Sequence, residues 1–106
     1  MRVLFDQGTP VPLRKFLIAH HVTTAFELGW GTLSNGELLK QAEDAGFEAL
    51  VTTDQNLEYQ QNLTNRQISI IVLDTTRWPR IAKSVIAVVE AIDSANPGEY
   101  IKVLIP

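Results

Sequence analysis

Apolar residues in this chain alternate between short unbroken runs and stretches with helical spacing. Arg2–Phe5 (RVLF) reads as a short buried strand that stops at Asp6, and Gly8-Thr9-Pro10 breaks it. With Thr9 as N-cap and Pro10 in the first turn, a helix is expected to bury Leu13, Phe16 and Leu17 and to reach about Ile18. His21–Ala25, rich in β-branched residues, reads as a second strand, and the glycines around Trp30 predict an exposed loop from Glu27 to Ser34. Ser34 or Asn35 caps the next helix, whose stripe is Leu38, Leu39 and Ala42 and whose stop is Gly46. Glu48–Thr53 is a third strand, Asn56–Asn62 a short polar helix or turn, and Ile68–Leu73 (ISIIVL) a strand covered on both faces. Trp78-Pro79 opens the longest helix, running to about Ser94, before Asn96-Pro97-Gly98 and a peripheral fifth strand, Tyr100–Ile105.

Strands alternating with helices predict one domain of α/β class: an open, mostly parallel, five-stranded sheet with helices on both faces. A length of 106 residues suits a single core, and 45% hydrophobic with 20% charged residues is a globular balance. No apolar run approaches the roughly 20 residues of a membrane span, and MRVLFDQ meets Asp6 too soon to form the apolar core of a secretion signal. The lack of cysteine removes thiol chemistry and fits a reducing cytoplasm. A net charge of −3 argues against bulk electrostatic grip on nucleic acid, leaving Arg14-Lys15 and Arg77, Arg80 and Lys83 as solvated helix faces.

In an open parallel sheet, ligands collect beyond the carboxyl ends of the strands where the strand order reverses. Asp6 follows VLF and Asp54 follows LVTT, so both stand at such ends. If strands one and three are neighbours, the two carboxylates face each other, and like charges so placed require protonation or a cation. Mg²⁺ and Mn²⁺ suit carboxylates and water. Glu37, in the first turn of the helix after the glycine loop, is the candidate for a third ligand. Two plainer roles compete: an Asp just past a strand is often a turn former or helix cap, and a Glu in a first helical turn favours the helix dipole. His20 and His21 fall at the opposite end of the sheet from Asp6 and are set aside.

Four segments, VLFDQGTP, AHHVTTAFELG, LSNGELLKQAEDAG and LVTTDQNL, occur in an order and spacing that resembles the small PIN-like nuclease family, relatives of the VapC-type toxin ribonucleases. The similarity runs from the first strand to about Leu73. It implies an endoribonuclease that cuts single-stranded RNA with Mg²⁺ or Mn²⁺ held by Asp6, Glu37 and Asp54, with Asn56 as an additional oxygen ligand. It also implies a cognate antitoxin protein as partner, Thr52 or Thr53 orienting Asp54 by a hydrogen bond, and Gln7 and Asn35 in contact with substrate; Trp30, flanked by glycines, is placed either to stack on an RNA base or to serve as a buried anchor or partner interface. The long apolar helix offers a surface for a homodimer or for the antitoxin.

Gln7 and Asn56 stand where relatives often carry acidic residues, and Asn35-Gly36 replaces an acidic helix start. These departures motivate an alternative, a catalytically weak module that binds RNA or a protein partner. A receiver-type phosphotransfer domain also puts Asp at strand ends, but the chain lacks an adjacent acidic pair after strand one and a lysine at the end of a late strand.

Overall fold

The structure, a computed structural model, describes residues 1–57 and 66–106. Five strands, β1 (Arg2–Phe5), β2 (His21–Thr24), β3 (Ala49–Thr52), β4 (Ser69–Leu73) and β5 (Tyr100–Val103), form one sheet in the order β2-β1-β3-β4-β5. Every pairing is parallel. The chain leaves β1 for β2 on one side and then returns to lay β3 on the other. The order therefore reverses between β1 and β3.

Three α-helices are described: α1 (Asn35–Asp44), α2 (Trp78–Lys83) and α3 (Val85–Asp93). Because side chains alternate along a strand, each strand feeds two cores. Val3, Phe5, Val51, Ile71 and Leu73 pack with Leu13, Ile81, Val88 and Ile92 on the face carrying α2 and α3. Leu4, Leu50, Ile70 and Val72 pack with Leu38, Leu39 and Ala42 of α1 on the other. β3 and β4 are buried along their whole length, as expected for strands covered on both faces.

Local chemistry explains the element ends. Ser34 accepts from Glu37 N through its hydroxyl at 3.3 Å while the Glu37 carboxylate accepts from Ser34 N at 3.0 Å, a reciprocal capping box. At the other end Gly46 takes a positive φ of 83°, and Phe47 N donates to Ala42 O as Gly46 N donates to Glu43 O. That is the Schellman arrangement, which a glycine completes without strain.

Two expected elements change form. The helix predicted from Thr9 to Ile18 is a 3-10 segment, Val11–Phe16, with no side-chain cap. Pro10 and Pro12 each lack an N–H, and the bonds that form, Leu13 N to Pro10 O and Leu17 N to Arg14 O, close three-residue turns. The long helix predicted from Trp78 to Ser94 is two helices meeting at Ser84, whose φ of −116° and ψ of 20° leave the α region. The predicted polar helix or turn over Asn56–Asn62 lies largely outside the described residues, and Leu57 at its start is buried in the α1 core. Among the described residues, no helix is long and apolar enough to cross a membrane.

Candidate active site at the β1–β3 rim

Register brings the two strand-end aspartates to one rim. Phe5 lies opposite Val51, and Asp6 N donates to Val51 O at 3.1 Å, so Asp6 leaves β1 beside the last residues of β3. Asp54 stands two residues beyond the end of β3. This is the switch point of the sheet, the position at which open parallel sheets bind their ligands.

Thr52 links the two aspartates. Its buried hydroxyl donates to Asp6 Oδ2 and accepts from Asp54 N at 3.0 Å. The hydrogen bond expected between Thr52 and Asp54 is made to the Asp54 backbone, and the same hydroxyl bridges to the carboxylate of Asp6. Thr53, assigned the same role from the sequence, instead presses its hydroxyl against the turn at Gly8, where a Cβ would lie 2.3 Å from Thr53 Oγ1. Gly8 is therefore required for close approach, and its N–H donates to Asp6 Oδ1 at 3.1 Å.

Thr9, expected to cap a helix, completes the support of Asp6. It is 4% exposed, and its hydroxyl lies 2.7 Å from Asp6 Oδ1 and 2.8 Å from Val51 O. Asp54 is built in parallel fashion. Its Oδ1 accepts from Asn56 N at 2.9 Å, and its Oδ2 accepts from the Asn35 side-chain amide at the first turn of α1. Asn35, expected to contact substrate, is thereby engaged in fixing Asp54. Each aspartate is a turn former as well: the bonds to Gly8 N and Asn56 N are the two-residue turns that Asp side chains make. The remaining oxygen of each is directed to a partner from another segment.

The third expected carboxylate behaves otherwise. The Oε1 of Glu37 serves the capping box, and those bonds from Ser34, backbone first and hydroxyl second, hold its pKa below the ordinary 4.5. Among the described residues no three His, Cys, Asp or Glu side chains gather in a group able to hold a metal ion, so Asp6, Glu37 and Asp54 do not form the expected triad. The signal for this was present in Ser34-x-x-Glu37, the sequence form of a capping box.

Comparison of the chain with protein-family models, with curated proteins and with solved structures finds no match in any of the three. The chemistry of the rim therefore rests on its own residues. A carboxylate offers about four acceptor positions. Asp6 fills three, with Gly8 N, Thr9 Oγ1 and Thr52 Oγ1, and Asp54 fills two, with Asn35 Nδ2 and Asn56 N. Both retain capacity for a cation. One or two carboxylates with water is the donor set Mg²⁺ commonly takes.

A cleft of about 520 Å³ adjoins Asp6 on the β2 side, lined by Gln7, Thr9, Val11, Arg14, Thr24, Phe26 and Glu27. Arg14 pairs with Glu27, which also accepts from Thr24 N at 2.9 Å. The Arg14 hydrogen bond, with smaller help from Thr24, holds the Glu27 pKa at about 2 against an ordinary 4.5. Arg14 spends both of its terminal nitrogens on Glu27. The sequence does not reveal this pair, because its partners come from separate elements 13 residues apart.

Trp30 is half-buried, its ring edge-on to Phe47 at 6.2 Å and packed on the α1 core, the anchoring position that was one of the two readings of it. Gln7 lies across Gly31, where a Cβ would approach Gln7 Nε2 to 1.9 Å. His20, at the other end of the sheet, meets Asp93 at 2.6 Å and the N-terminal amine at 3.3 Å. That is the separation from Asp6 anticipated from its strand position.

Proposed function

We propose that the β1–β3 rim is the active site of a Mg²⁺- or Mn²⁺-dependent nuclease that cuts single-stranded RNA. The observation that carries this reading is the pairing of Asp6 and Asp54 through Thr52 at the switch point of the sheet. A hydrogen-bonded turn alone needs only one oxygen of each aspartate. Here the second oxygen of each is also held, from Thr52 and Asn35, so both groups are fixed against rotation.

In this reading Asp6 and Asp54 hold the ion, and Thr9, Thr52 and Asn35 aim their carboxylates by donating to them. A bound Mg²⁺ or Mn²⁺ supplies charge neutralisation at a scissile phosphate and a water acidified enough to attack it. The side-chain oxygen of Asn56, expected as an additional ligand, adds an oxygen without adding charge. The resemblance to toxin ribonucleases extends the proposal to an antitoxin as protein partner.

Purified protein is expected to cleave single-stranded RNA with Mn²⁺ or Mg²⁺, to stop in EDTA, and to be silenced by Asp6→Asn and by Asp54→Asn. Cleavage that persists in EDTA and in both variants overturns the proposal. A second reading, an RNA- or protein-binding module of weak catalysis, is favoured by Glu37 standing in a capping box, which leaves two carboxylates at the rim. It predicts a stable complex with RNA or with the product of a neighbouring gene, and no turnover.

A further inference from the structure

The two layers that cover the sheet present unlike surfaces. The exposed residues of α1 are Glu37, Lys40, Gln41 and Asp44, as suits a helix whose far side is solvated. On the other side of the sheet the 3-10 segment packs against both α2 and α3, and the apolar side chains there are not all spent on the core. Ile18, just past the 3-10 segment, is 91% exposed, and Ile86, turned away from the core that holds Val88 and Ile92, is 73% exposed. Phe16 and Trp78 join the 3-10 segment to α2, their ring centroids 5.9 Å apart at 37°. Exposed apolar side chains gathered on one layer mark a surface that associates.

The same contact brings together two basic groups that lie far apart in the sequence. The 3-10 segment (VPLRKF) and α2 (WPRIAK), with Arg77 as its N-cap, carry five cations and no carboxylate. Two of the five are occupied, Arg14 by Glu27 and Arg80 by the carbonyl oxygens of Ile105 and Pro106. Lys15, Arg77 and Lys83 are exposed and join no ion pair among the described residues; Lys15 Nζ stands 5.5 Å from the centre of the Phe16 ring. α3 adds Glu90 and Asp93, of which Asp93 is taken by His20, so the unbalanced positive charge lies over the 3-10 segment and α2.

An apolar strip edged by unpaired cations is complementary to an apolar strip edged by carboxylates. We propose that this face docks an acidic amphipathic helix of a protein partner, its apolar side on Phe16, Trp78 and Ile86 and its carboxylates at Lys15, Arg77 and Lys83. A second copy of the chain meeting this face with its own would set like cations against one another. A nucleic-acid strand would neutralise the cations but gain nothing from Ile18 and Ile86, which offer no ring on which a base stacks. The surface includes neither Asp6 nor Asp54, so its occupant does not depend on the nuclease reading.

Amide NMR of the whole chain, titrated with a synthetic peptide that places leucines on one helical face and glutamates beside them, tests the docking surface. Saturable shifts are expected at Lys15, Phe16, Trp78, Lys83 and Ile86, with a scrambled peptide of the same composition binding about tenfold more weakly. Ile86→Ser should weaken the amphipathic peptide about tenfold, as should Arg77→Glu combined with Lys83→Glu. All three positions are exposed, so each variant should keep the parent's circular dichroism and melting temperature. Equal binding of the two peptides, shifts confined to other surfaces, binding unaffected by the substitutions, tighter binding of a single-stranded RNA oligonucleotide at these residues, or self-association through them overturns the proposal.

Discussion

Asp6 is held by three donors from two segments of chain, and Thr52 is the one that links it to Asp54. Removing that hydroxyl while keeping the β-branched shape isolates its role. Thr52→Val should fold, leave Asp54 N and Asp6 Oδ2 without this partner, and lower metal-dependent RNA cleavage about 10- to 100-fold. The effect should read as weaker Mn²⁺ activation rather than as a lower melting temperature. Gly8 makes the contrary case, a residue whose missing side chain is the requirement. A Cβ there would lie 2.3 Å from Thr53 Oγ1, closer than such atoms can stand without a shift. Gly8→Ala should destabilise the fold by about 1–3 kcal/mol in urea titrations. It should also disturb Asp6, because the Gly8 N–H is one of its donors.

At the scale of elements, α1 does two things with its first turn. Ser34 and Glu37 close its capping box, and Asn35 between them reaches Asp54. Ser34→Ala should cost about 1 kcal/mol through the lost cap. Glu37→Gln retains a capping-box residue while removing the charge, so it should preserve both the fold and cleavage. Loss of cleavage in a folded Glu37→Gln protein would return Glu37 to the ligand set. The pH dependence has a definite sign. A carboxylate whose folded pKa lies below its ordinary 4.5 contributes stability above that value and loses it as the pH falls through the folded pKa. Hydrogen exchange in the first turn of α1 should therefore gain protection lost in acid as the pH is raised through that window. The Arg14–Glu27 tie follows the same rule, fading between pH 4.5 and about 2. A carboxyl-carbon NMR titration of Glu27 measures it directly.

The whole molecule is organised by two cores divided by one sheet, and the rim inherits its rigidity from them. β4 sits between β3 and β5, and Ile71 on it is fully buried in the core that also contains Phe5 and Val51. Ile71→Ala should cost about 2–5 kcal/mol. In a domain of this size each kcal/mol corresponds to a fall of about 4–8 °C in melting temperature. Ile101 on the edge strand β5 is only partly buried, and its replacement by Ala should cost less.

The sequence alone determined the five strands, the position of Gly46 at the end of α1, and the placing of Asp6 and Asp54 just past strand ends. Those features are local: a run of apolar residues, a glycine that accepts positive φ, a charge where burial stops. Tertiary structure decided the rest. Thr9 reaches Val51 across 42 residues and Thr52 reaches Asp6 across 46, separations that periodicity cannot encode. It is register between β1 and β3 that makes those threonines supports of one rim. The same packing turned Trp30 inward and left Phe26 outward, a choice that the composition of a glycine-rich loop does not contain.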